Sequence, residues 1–402
     1  MAGVGVLSVE QTTDRTTTSN TYADITDASI ASGSFQADTT YLILAGAIFG
    51  GANGTISYMD LTNASGTSIT PAESIAETRG ASDGEPHFFA FEFAQGGTPV
   101  GLKLRFHTTG GVSITSLSSW IIAIPVGDFA GADYSKNEDD DSGAPVAVPT
   151  STTAFATTTF TGTTDIWLAI AYVLYDVNTT SKKLVFALDR TGSASETITN
   201  QREGENAVER RGSYIIWADT LTAVSNTFAV KISTDGVTTD FDHVFSGIYL
   251  LNLNELFADA SFARTTGATS ALTSTFAQVQ TLAHAVTADG AQIILGYAQS
   301  DIVNHTATIG LRFQEDNTTT LPTGIDAAAL GSTSRDVTDI IPLALMSVRN
   351  MLVSGSTFTI DMDAADDRQT TNPLDNRCLV VFSDEAAPAA DAGNPWYAYA
   401  QQ

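Results

Sequence analysis

Five histidines, one cysteine and 45 acidic side chains are the residues through which this 402-residue chain could do metal or acid–base chemistry. His87, His107, His243, His284 and His305 are scattered, and no two stand at the i, i+4 spacing that puts two imidazoles on one metal. The single thiol, Cys378, excludes a disulfide within the chain and any cysteine-based metal centre. The acidic run Glu138, Asp139, Asp140, Asp141 offers oxygen ligands but lacks the spacing of a calcium-binding loop, and reads as a solvated connecting segment. In DMDAADD, alternation puts Asp361 and Asp363 on the exposed face of a strand, with Asp366 and Asp367 in the turn that follows. There is no Gly-x-Ser-x-Gly elbow, phosphate-binding loop or dinucleotide fingerprint. The expectation is a protein that is not an enzyme and needs no cofactor or metal.

Two further groups of residues suit contact with another surface. The loop Asn200–Gly212, NQREGENAVERRG, concentrates Arg202, Arg210 and Arg211 in a chain whose formal charge is −27. Such a patch either meets an acidic partner, a second copy included, or pairs internally with Glu203, Glu205 and Glu209. The closing segment AAPAADAGNPWYAYAQQ carries Trp396, Tyr397 and Tyr399. Aromatic side chains in a polar tail leave apolar area unburied unless they dock, either on the chain's own last unit or on a neighbouring subunit.

The charge narrows the partners. Acidic residues outnumber basic ones 45 to 18, a balance that repels phosphate backbones and anionic lipid, so neither nucleic acid nor a membrane is expected as a partner. No apolar run approaches the length of a membrane-spanning helix, and MAGVGVLSVEQTTDRTTT lacks the basic flank and apolar stretch of a secretory signal. Synthesis in a cytosol is therefore expected. With 43% hydrophobic and only 16% charged residues, the chain is built to fold.

The elements that would position these residues come in three copies. TTYLILAGAIFGG, TDIWLAIAYVLYD and DGAQIILGYAQSD begin at positions 39, 164 and 289, 125 residues apart each time. Each follows a Thr-rich alternating segment, and each precedes a second alternating segment: TISYMDL, KLVFALD and TATIGLRFQ. In GLKLRFH, Leu102, Leu104 and Phe106 face one way while Lys103 and Arg105 face the other, the period of a half-buried strand. The three unbroken apolar runs lack that alternation and read as strands covered on both faces. Short strands punctuated by Gly and Asp turns predict an all-β chain of three tandem antiparallel β-sandwiches of jelly-roll type, each closing its own core. The expected boundaries are 1–130 for the first, an acidic linker over 131–150, 151–257 for the second, 258–387 for the third, and a tail over 388–402. IDAAALGSTS, from Ile325, allows one or two helical turns at most.

An acidic, Thr/Ala/Gly-rich chain of tandem sandwiches without a secretion signal resembles the structural proteins of tailed-bacteriophage particles: decoration, head-fibre and tail-associated proteins. That resemblance spans the chain and rests on its organisation rather than on a motif. It implies location on the particle, assembly with other virion proteins, and self-association, a trimer first. The alternative is an array that binds carbohydrate or a host surface glycan. Trp120, Trp167 and Trp217 lie in apolar strands and are expected in the core, which leaves Trp396 to serve such a site.

Overall fold

The computed structural model describes residues 5–384 except 12, 79–83, 128–132, 162–163, 205, 223, 269–271, 288, 303–306, 316–318, 322–327, 333–338, 353 and 367–373. It is almost entirely antiparallel β-sheet. In chain order the first strands are β1 (Leu7–Gln11), β2 (Arg15–Thr17), β3 (Ala23–Ile30), β4 (Thr40–Gly51), β5 (Thr55–Asn63), β6 (Ser74–Thr78), β7 (Glu85–Ala94), β8 (Leu102–Thr108) and β9 (Ile114–Pro125). They form two layers with the orders β1-β9-β4-β7 and β3-β8-β5-β6, and β2 extends the first layer beside β9. Numbered along the chain with β2 set aside, these orders are 1-8-3-6 and 2-7-4-5, which is the winding of a jelly roll.

The same pairing order recurs twice. A second set comprises β10 (Tyr134–Asp140), β11 (Val146–Ala147), β12 (Thr153–Thr161), β13 (Ile166–Val177), β14 (Lys183–Thr191), β15 (Glu196–Glu203), β16 (Arg210–Thr220), β17 (Ser225–Thr234) and β18 (Phe241–Asn252). Its layers are β10-β18-β13-β16 and β12-β17-β14-β15. One helical turn, α1 (Leu253–Leu256), leads to the third set: β19 (Ala260–Thr265), β20 (Ala277–Ala285), β21 (Gly290–Ile302), β22 (Ala307–Glu315), β23 (Thr319–Leu321), β24 (Ala328–Ser332), β25 (Asp339–Leu352), β26 (Thr357–Asp366) and β27 (Leu374–Ser383). Here the layers are β19-β27-β21-β25 and β20-β26-β22, with β23 and β24 both along the free edge of β22.

Local pattern accounts for most of these strands. On β8 buried and half-buried residues alternate without a break. On β4 every residue after Thr40 is buried. It lies between β7 and β9, so its edges are bonded on both sides and its two faces are both covered. The runs at β13 and β21 hold the same interior place in their layers.

Three expectations are corrected. The segment 131–150 is not a linker: β10 and β11 both bond to β18, so it supplies the first strand of the second set. A run as polar as SKNEDD can be a strand because the ladder is made by backbone groups, and the apolar β18 provides the partner. Second, the sets do not close separate cores. Buried apolar side chains form one contiguous cluster through all three sets. Aromatic rings carry it across, with Phe88 against Tyr214 at 4.5 Å and Tyr214 against Tyr297 at 6.4 Å between ring centres. Third, Ala328–Ser332 is a strand and not a helical turn, held by pairing with β22. No helix among the described residues is long and apolar enough to cross a membrane.

Candidate functional site

The sets meet head to tail. From the first to the second, β6 bonds to β16 at Ile75–Arg210, and β7 lies on the layer containing β13, where Tyr249 Oη donates to the Ala90 carbonyl at 3.2 Å. From the second to the third, β15 bonds to β25 at Gln201–Ile340, and β16 lies against β19, β21 and β27. From the third back to the first, β24 lies against β7 and β4, and β25 lies against β1. Equivalent edges are used each time, so the contact is heterologous and closes as a ring of three.

The basic loop sits inside the first of these junctions. Arg202 is buried and paired with the buried Glu85 at the start of β7. Arg211 is 2% exposed, bonded to Glu209 at 2.6 Å and 3.8 Å from Glu85. Arg210 pairs with Asp176 at 2.6 Å. Of the internal partners expected from sequence, Glu209 is one. The other partners observed, Glu85 of the first set and Asp176 opposite Arg210 on β13, were not among those expected. Arg202 and Arg211 are thus closed off within the chain, Arg202 by Glu85 of the first set and Arg211 chiefly by Glu209 of its own. Trp396, Tyr397 and Tyr399 lie outside the described residues.

Beside this network stands a histidine between two hydroxyls. His87 Nε2 is 2.9 Å from Ser57 Oγ and its Nδ1 is 2.8 Å from Ser74 Oγ. Burial, and then the charges of Arg211 and Arg202, push its pKa down to about 3, so the ring is neutral. Serine beside imidazole is the pairing a nucleophile would use. All three side chains are buried, so no substrate reaches them. The group satisfies polar atoms in a packed junction.

Each junction carries its own polar chemistry. In the first, Glu92 on β7 is paired with Lys136 and accepts from Tyr134 Oη at 2.7 Å. In the second, Arg264 bridges Asp219 and Glu196, both at 3.0 Å, and lies over the Trp217 ring at 5.1 Å. The Cys378 thiol accepts from the Ala218 N–H at 3.3 Å, and burial raises its pKa to about 12. In the third, Glu10 on β1 accepts from Val348 N–H at 3.4 Å and faces Ser347 Oγ at 3.5 Å. Burial raises its pKa to about 7.

One cluster has the makings of a cation site. Asp139 on β10, Asp141 just beyond it and His243 on β18 each offer a ligand atom, all within 4.8 Å of one another. His243 Nδ1 is 2.8 Å from Asp141 Oδ2, and the imidazole packs on Phe155. Desolvation lowers the His243 pKa, which favours the neutral ring, and raises that of Asp139. Sequence spacing could not reveal this group, because Asp141 and His243 are 102 residues apart. The signal was the alternation along β10, which sends Glu138 toward Tyr249 and Asp139 and Asp141 to the opposite side.

The second acidic group departs from expectation. Asp361 and Asp363 are buried, because both faces of β26 are covered from Ile360 to Ala365. Gln278 donates to Asp361, and Arg312 holds Asp363 at 2.9 Å while stacking on Phe276. Trp120, Trp167 and Trp217 are buried, as expected.

No family model matches the sequence, and no curated protein matches it. Among solved structures the chain is similar to a recombinant N-glycanase F (PNGase F), with 9% identity and a TM-score of 0.32 over 64% of this chain and 98% of that one. It is also similar to a structure described as the triple jelly roll fold and turret assembly in an archaeal virus, with 12% identity and a TM-score of 0.21 over 85% and 80% of the two chains. A third is the N-terminal CBM22-1-CBM22-2 tandem domain of Paenibacillus barcinonensis Xyn10C, with 8% identity and a TM-score of 0.18 over 64% and 95%. Likenesses this distant carry no argument about what the chain does.

Proposed function

We propose that this chain is a structural protein of a virus particle, of the decoration, head-fibre or tail-associated kind in a tailed bacteriophage, and that it acts by assembling with other particle proteins and with itself. The observation that carries this reading is the closed ring of three jelly-roll sets. One edge of each jelly roll is set against its neighbour inside one chain, which gives a block whose outer strands and loops are free for attachment. The acidic surface supports the reading, since like charge keeps such blocks apart until a specific contact forms. A ring within one chain already provides three-fold geometry. We therefore place contacts between chains, the expected trimer included, on the outer loops and the aromatic tail.

A carbohydrate-binding reading asks for exposed aromatic platforms, and the three tryptophans of the described strands are buried.

The test is particle association. Particles banded in a density gradient and washed in high salt should retain the chain at a fixed copy number by quantitative mass spectrometry. A chain left wholly in the soluble fraction beside complete particles overturns the proposal.

A further inference from the structure

The structure assigns a binding site for one divalent transition-metal cation to Asp139, Asp141 and His243, with zinc the fitting probe. Two features of the chemistry point there. The first is uncompensated charge. Asp139 and Asp141 converge with Asp140 between them, and among the described residues no lysine or arginine pairs with any of the three. The Asp139 carboxylate accepts no hydrogen bond from the described residues. Glu85, Glu209 and Asp363 are each met by an arginine, whereas these two half-buried, convergent carboxylates have no cation beside them.

The second feature is His243 itself. Its side chain has no solvent exposure, its Nε2 has no partner, and its one polar contact is the aspartate cluster. A buried imidazole normally satisfies both nitrogens within the fold. This one turns its Nδ1 to two carboxylates that remain partly open to solvent, so a cation that replaces the Nδ1–Asp141 contact has a way in.

The donor set selects the ion. One imidazole nitrogen with two carboxylate oxygens suits zinc, which takes three protein ligands and keeps water in the remaining position. Calcium seeks six to eight oxygens, more than this group supplies. The ligands lie on β10, an edge strand, and on β18, the strand it bonds to. The other side of β10 carries Lys136 and Glu138 in the junction with the first set. A cation here would tie down the start of the second set from the side opposite that junction.

Full-length protein freed of metal with a chelator should bind one equivalent of zinc by calorimetry, and its melting temperature should rise. The double variant Asp139→Asn, Asp141→Asn keeps side-chain shape and should lose affinity by about 100-fold or more. Asp14→Asn, which removes an exposed carboxylate elsewhere, should not. A second measurement needs no mutation: in imidazole 15N spectra of the wild-type protein, one histidine of the five should shift at one equivalent of zinc. Equal binding by the double variant, displacement of zinc by an equal concentration of calcium, or five unmoved histidines overturns the assignment.

Discussion

Glu10 sets a pH at which the ring should loosen. Its carboxylate enters the junction of β1 with β25, where Val348 N–H and Ser347 Oγ are its partners at 3.4 and 3.5 Å. Those bonds are long, and desolvation outweighs them, lifting the pKa from 4.5 to about 7. A carboxylate with a raised folded pKa stabilises the fold fully below its unfolded pKa, and that contribution is lost as pH rises through the folded one. The window is therefore pH 4.5 to 7, with the junction weaker on the alkaline side. A shift of that size corresponds to about 3 kcal/mol, or about 2 kcal/mol once discounted for the water that still reaches the side chain. Glu10→Gln removes the charge and keeps the shape. At pH 8 the variant should exceed wild type in stability by about 2 kcal/mol, and at pH 4.5 the two should coincide. Urea unfolding at both values reads the difference, and hydrogen exchange of β1 and β25 amides locates it. Other carboxylates titrate identically in both proteins and cancel. A difference between variant and wild type that does not change with pH, or a variant less stable at pH 8, refutes the reasoning.

Other consequences follow from the junctions. Arg211→Ala takes from the buried Glu209 the guanidinium bonded to it and should cost about 3–5 kcal/mol in urea unfolding. Gly212→Val should cost about 1–3 kcal/mol, because even a Cβ at Gly212 meets the Phe88 carbonyl at 2.9 Å and the Tyr172 ring at 3.0 Å. The shift of the urea midpoint measures it. Cys378, buried with a pKa near 12, should stay inert to a thiol reagent in native protein and react at once in guanidinium. Partial reactivity at urea concentrations below the main transition would report opening between β16 and β27.

Legibility in the sequence followed the length scale of the interaction. Period-two alternation in GLKLRFH reappears as the alternating burial of β8, and unbroken apolar runs become interior strands, because both signals are set by what covers a strand's faces. The strand in SKNEDD was hidden, since its side chains carry no apolar signal and its backbone partner is β18, far along the chain. The partners of the arginine loop were hidden for the same reason: Arg202 and Glu85 are 117 residues apart. Asp361 and Asp363 alternate with apolar residues, yet alternation predicts exposure only where one face of the strand meets water, and β26 meets none there.

Placing three jelly rolls on one chain allows their junctions to differ. Leu42, Trp167 and Gln292 hold the same place in their repeats, and the residues opposite them on β7, β16 and β25 are Glu92, Asp219 and Arg349. Glu92 takes Lys136, Asp219 takes Arg264, and Arg349 turns to Glu315 of its own set. In a trimer of identical units these positions would be one residue, and each junction would carry the same pair. Here the reversed circular order would leave Glu92 facing a base but bring Arg349 against Lys136, base against base, at a cost that favours the observed order. The connecting segments already hold neighbouring sets at high effective concentration, so the first two junctions can be polar and still form. The closing contact of β1 with β25 joins sets at opposite ends of the chain. Its strength therefore rests most directly on its own packing and on the charge state of Glu10.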